Sequence, residues 1–189
     1  TLTGGSSGVS LQWQINSSGW TDIPGQTGLT YNPSTAVAGT TQYRVRVIDG
    51  SSGCSQPFSN ITTVVVQNNA TVSITVNNAE VCIDGTALLT ATVTGGSSGL
   101  TLQWQSSPNN STWSNVPGAT SSTYNAPTTV AGTTWYRVQV TDSQPLCADP
   151  ASNSLSVLVR PDPTVSVSAQ FAEICIGGSA LLTAAVAGG

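Results

Sequence analysis

Cys54, Cys82, Cys147 and Cys175 have the widest chemical reach in this 189-residue chain, because a thiolate can attack, ligate metal or pair. The chain has no His and no Lys, so the usual partner of a nucleophilic Cys or Ser and the amine of a Schiff base are missing. Without His or a C-x-x-C pair, zinc is a poor match, and the four cysteines are disulfide candidates in an oxidising compartment. The eight carboxylates are scattered. A glycosidase needs two acids across a cleft, and calcium needs clustered oxygens. Glu80 with Asp84, or Asp149 with Asp162, supply too few. Asp49 and Asp142 hold equivalent places at the start of a loop, which is ordinary turn chemistry. The expectation is therefore no enzyme, no metal and no cofactor. One pattern suits a ligand: Trp135 and Arg137 share the polar parity of a strand, where an indole beside a cation can stack on a sugar ring or a neighbouring domain. Trp135 and Arg137 are the candidate ligand contacts, set against a local packing role because Gln42 replaces Trp135 in the first repeat.

The elements that position these residues repeat. Trp13 matches Trp104 at an offset of ninety-one. Trp20 and Trp113, Tyr31 and Tyr124, Tyr43 and Tyr136, Cys54 and Cys147, and Cys82 and Cys175 all match at ninety-three. A unit of that size is a β-sandwich domain rather than a solenoid repeat. Val72, Ile74 and Val76 alternate with polar residues, as do Ala87 to Val93, Leu100 to Trp104, Tyr136 to Val140, and Leu155 to Val159. This period-two pattern predicts an all-β fold of two sheets packed face to face, without helices. The phase of the repeat divides the chain into three parts. Residues 1-66 are a domain lacking its first strand and most of its second, 70-160 are a complete domain, and 164-189 are the first two strands of a third.

Composition narrows the partners. Charged residues are only 6% of the chain and the formal net charge is -4. Four Arg cannot neutralise a phosphate backbone, so no nucleic acid is expected. No apolar run approaches the roughly 18 residues of a membrane span, so no membrane insertion is expected. Without Met or a leader, the chain reads as a mature chain or an internal fragment.

The strand "LQWQ", the turn "W-x-x-[IV]-P-G" and the strand "T-T-x-Y-R-V" resemble the immunoglobulin-like repeats of very large secreted surface adhesins of Bacteroidota, of the gliding-motility and type IX secretion kind. The resemblance covers essentially the whole chain. It implies tandem immunoglobulin-like sandwiches, with Trp13 and Trp104 on strand C against the core and Tyr43 and Tyr136 on strand F. The positions of the disulfide that joins strands B and F in antibody domains read Ala91 and Val138. What the resemblance implies for function is a structural repeat of an extracellular, cell-surface stalk or filament serving cell adhesion. The alternative is a glycan- or surface-binding module acting through Trp135 and the loops.

In that topology Cys82 precedes strand B and Cys147 follows strand F, at opposite ends of the sandwich. Three states stay open: cysteines stapling the junction between successive repeats, a Cys82–Cys147 bond within one domain, and free thiols. The partners expected are neighbouring repeats, or copies of the chain joined head to tail by strand addition. In the second case Cys82 faces the neighbouring copy's Cys54, and Cys175 its Cys147. A window cut from a longer array is the simpler account of the incomplete first and third repeats.

Overall fold

The computed structural model describes residues 8–50 and 55–188; Cys54 lies outside the described residues. The chain divides into two compact units, Thr1–Asn68 and Asn69–Gly189. All regular elements among the described residues are strands.

Unit 1 holds one antiparallel sheet of β1 (Ser10–Asn16), β2 (Trp20–Asp22), β3 (Gly39–Ile48) and β4 (Thr62–Val66), in the order β2-β1-β3-β4. One parity of the sheet carries Leu11 and Trp13 on β1, Val45 and Val47 on β3, and Val64 and Val66 on β4. All six are half-buried, because no second sheet covers that face among the described residues.

In unit 2 the second sheet is present. The strands are β5 (Thr71–Val76), β6 (Glu80–Cys82), β7 (Ala87–Thr94), β8 (Thr101–Ser107), β9 (Ser114–Asn115), β10 (Thr123–Ala126), β11 (Gly132–Thr141) and β12 (Leu155–Arg160). They form a β10-β7-β5 sheet and a β6-β12-β11-β8-β9 sheet. Asn77 makes the crossing between them. Its N–H donates to the carbonyl of Leu88, and its side-chain oxygen accepts from Asn78 and Leu88. That ends β5 on one sheet and sends β6 to pair in parallel with β12 on the other. An edge strand that switches sheets, with three strands facing a C′-C-F-G set (here β9, β8, β11 and β12, matched in unit 1 by β2, β1, β3 and β4), is the immunoglobulin-like arrangement. The chain is all-β and immunoglobulin-like.

The core of unit 2 fills the space between its sheets. Ile74, Leu89 and Ala91 come from one sheet; Trp104, Tyr136, Val138, Val140, Val157 and Val159 come from the other. Ala91 and Val138 thus pack where antibody domains place a disulfide, and apolar contact takes its role. Beyond unit 2's sandwich, β13 (Thr164–Ala169) and β14 (Leu182–Ala187) pair only with each other, antiparallel.

Candidate functional site

Each repeat builds the same polar ladder on the outer face of its C′-C-F-G sheet. It starts from a turn. In Val116-Pro117-Gly118-Ala119 the amide of Ala119 donates to the carbonyl of Val116 at 3.2 Å, with Gly118 at φ +71°. Pro then Gly at the centre, with a positive φ at the second, is the chemistry of a type II turn. Gln103 ties this turn to the sheet, donating to the carbonyls of Trp104 at 2.8 Å and Val116 at 2.7 Å. Gln105, on the same face, accepts from the Arg137 guanidinium at 2.7 Å and donates to Asn115 at 2.8 Å. Arg137 then lies over the Trp113 ring, 4.4 Å from its centroid. Unit 1 repeats the set: Gln12 holds the Pro24-Gly25 turn, and Arg44 donates to Gln14 at 2.8 Å and lies 4.2 Å from the Trp20 centroid. The two glutamines of "LQWQ" therefore have separate duties, one to the turn and one to the cation.

This changes the setting of the candidate ligand contacts. Arg137 is engaged by Trp113 and Gln105, and Trp135 is half-buried rather than open. The sequence carries one signal of the Trp–Arg stacking. Trp20 and Arg44, like Trp113 and Arg137, are separated by the same interval in both repeats.

The core aromatics form a second repeated set. Trp104, Tyr124 and Tyr136 stack in a tilted chain with centroids 5.8 Å apart at each step. Burial pushes the phenols of Tyr124 and Tyr136 above the ordinary range. Trp13, Tyr31 and Tyr43 repeat the chain at 5.7 and 5.8 Å. Tyr43 and Tyr136 are buried and Trp104 is fully so. Trp13 departs from the expected core position: it is half-buried, because no sheet closes over it among the described residues of unit 1.

Asp142 is a buried carboxylate with a structural role. It accepts from the Ser97 hydroxyl, from the Ser97 amide at 2.9 Å and from the Gln144 amide at 3.0 Å. Those bonds, the Ser97 hydroxyl first, hold its pKa below the usual carboxylate range. The Ser97 bonds clamp the loop after β7 to the loop after β11, and the Asp142 amide donates to Asp149 at 2.7 Å within the second loop. Glu80 pairs with Arg160. A cavity of about 380 Å³ beside Pro127, Val130, Gly132, Tyr136 and Val159 carries no carboxylate or thiol on its walls.

Cys82, Cys147 and Cys175 have free thiols. Cys82 sits opposite Arg160, where the chain leaves unit 2's sandwich. Cys147 sits in the loop whose Ala148 amide donates to the Asn69 side chain, where the chain enters. The entry and exit ends are separated by the length of β11, ten residues, or about 30 Å. A disulfide needs Cα atoms within about 7 Å. A Cys82–Cys147 bond inside one domain is incompatible with this geometry.

Among comparisons with known proteins, the family described as Domain of unknown function (DUF8696) matches residues 1–68 and 70–161. No curated protein matches the chain in sequence. A solved structure described as an amphioxus IgVJ-C2 molecule is similar at 11% identity, over 79% of this chain and 88% of that one, with a TM-score of 0.42.

Proposed function

The chain belongs to the family Domain of unknown function (DUF8696), and from that premise we propose that it is a structural repeat module in the stalk or filament of an extracellular bacterial surface adhesin. The observation that carries the reading is the pairing of β6 with β12. The strands run parallel, one following β5 at the entry and the other leading to the exit. Tension on the two ends of the domain pulls them in opposite directions. It loads their hydrogen bonds together, in shear, instead of peeling them one by one. The Arg160–Glu80 pair bridges the same two strands.

Other observations support the reading. The outward polar side chains of the C′-C-F-G sheet are spent on one another, as expected of a load-bearing surface. The resemblance of the "LQWQ" and Pro-Gly segments to Bacteroidota adhesin repeats points the same way. The glycan-binding alternative has no comparable support, since Arg137 is already committed to Trp113. Immunogold electron microscopy on intact source cells, with antibody raised to this chain, tests the proposal. Gold along surface filaments is the expected result; gold confined to the cell interior overturns it.

A further inference from the structure

The outer faces of the two repeats differ at one place. In unit 1 the Arg44 guanidinium lies 4.2 Å from the Trp20 centroid and 3.9 Å from the Phe58 centroid. Trp20 starts β2, which reaches β3 from the β1 side; Phe58 bridges to Arg46 from the opposite side of β3. The cation therefore has a ring against each face. Unit 2 keeps the arginine and the first ring, with Arg137 4.4 Å from the Trp113 centroid. At the place of Phe58 it has Ala151, which bridges to Gln139 in the same register and is exposed. The backbone that carries the second ring is unchanged between the repeats. Val47 donates to Pro57 and Ser59 to Val45, as Val140 donates to Pro150 and Ser152 to Val138, every bond at 2.8 or 2.9 Å.

Among the described residues no ring other than Trp113 lies over Arg137. Gln105 takes the Arg137 Nε from the β8 side. The Gln139 amide, directly opposite Ala151, is spent on the carbonyls of Asp149 at 2.9 Å and Pro150 at 3.3 Å. Trp135, two residues before Arg137 on the same face, is half-buried and has no ring partner among the described residues. Its counterpart Gln42 is engaged, accepting from the Asn16 side chain at 3.0 Å. Unit 2 thus presents one guanidinium face, flanked by an indole, where unit 1 is closed by its own phenyl ring. A guanidinium that has lost water from one face is a better partner for a ring on the other, because cation–π attraction grows as the cation is desolvated.

We propose that this face of unit 2 docks an aromatic side chain of a partner protein, whose ring stacks on Arg137 opposite Trp113 and rests beside Trp135. Unit 1 identifies the occupant. The same sheet, arginine and tryptophan are completed there by a phenyl ring carried on a protein segment. The site is open above Ala151, so a free aromatic molecule leaves much of its surface in water, whereas a ring carried by a chain gains further contacts along the sheet. The site lies within unit 2's own sandwich and goes beyond the stalk reading without resting on it.

NMR of the purified chain tests the site with N-acetyl-L-phenylalaninamide as the ring. The Nε–H signal of Arg137, held by Gln105, is the reporter, and Arg137→Lys assigns it by removing it. The signal is expected to move and saturate on titration, while N-acetyl-L-leucinamide and N-acetylglucosamine leave it in place. Ala151→Phe, at an exposed position, supplies the ring from within. The Arg137 signal should then start displaced, and binding of the probe should weaken roughly tenfold. Phe58→Ala is the converse: it should open unit 1, so that the Arg44 signal answers the probe as Arg137 does. An Arg137 signal unmoved up to the solubility of the probe would overturn the proposal. So would an equal response to the leucine or sugar probe, or unchanged binding in Ala151→Phe. Failure of the surface labelling with the titration intact would sink only the adhesin reading.

Discussion

Trp13 and Trp104 occupy one repeat position and each donates its indole N–H to a carbonyl at 2.9 Å, yet only Trp104 is fully sealed. Burial, not hydrogen bonding, separates them, so truncation should too. Trp104→Ala is expected to cost unit 2 about 3–5 kcal/mol, the range for a large core side chain. Trp13→Ala is expected to cost unit 1 roughly half as much, because less apolar area is lost from contact. Guanidinium denaturation measures both; equal losses would show that unit 1's face is covered as fully as unit 2's. Asp142 sets a pH dependence. Its folded pKa is depressed by the Ser97 and Gln144 bonds, so its contribution to stability is complete above the ordinary carboxylate pKa of about 3.9. It is lost as pH falls through the lower folded value. Melting curves between pH 5 and 2 should show a steeper acid loss for the wild type than for Asp142→Asn, which lacks the ionised group. Parallel pH profiles would mean that the clamp contributes nothing through its charge.

At the scale of elements, the Pro-Gly turn shows how a local rule positions a remote group. Gly118 has φ +71° and open space where a Cβ would go, so substitution meets backbone strain and no clash. Gly118→Ala is expected to destabilise unit 2 by about 1–2 kcal/mol. Gly39→Ala, at a strand start with equally open space and no positive φ, should fall within about 0.5 kcal/mol of the wild type. Thermal melts of the two variants make the comparison, and equal shifts would show that the positive φ at Gly118 carries no cost. The elements also show what was legible in the sequence. The strands around Val72–Val76, Ala87–Val93, Leu102–Trp104, Tyr136–Val140 and Leu155–Val159 were visible because one parity faces a core. β6 and β9 are three and two residues long, too short to display a period. The sheet to which β6 belongs was hidden because its partner β12 decides it, and that partner lies far away in sequence. Residues 30–33 carry the same Thr-Tyr-Asn start as β10 and still form no strand, since the strand that β10 pairs with has no counterpart among the described residues of unit 1. In the outer ladder, the aromatic and the cation were each visible, but their stacking depends on how the turn after β8 folds back over β11.

For the molecule as a whole, the thiols report on connectivity. Within unit 2, Cys82 and Cys147 stand at opposite ends of β11, about 30 Å apart, far beyond disulfide reach. After treatment with oxidised glutathione, non-reducing peptide mapping of the monomer should find no Cys82–Cys147 peptide. A Cys82–Cys147 peptide recovered from monomer would contradict the separation of the two ends.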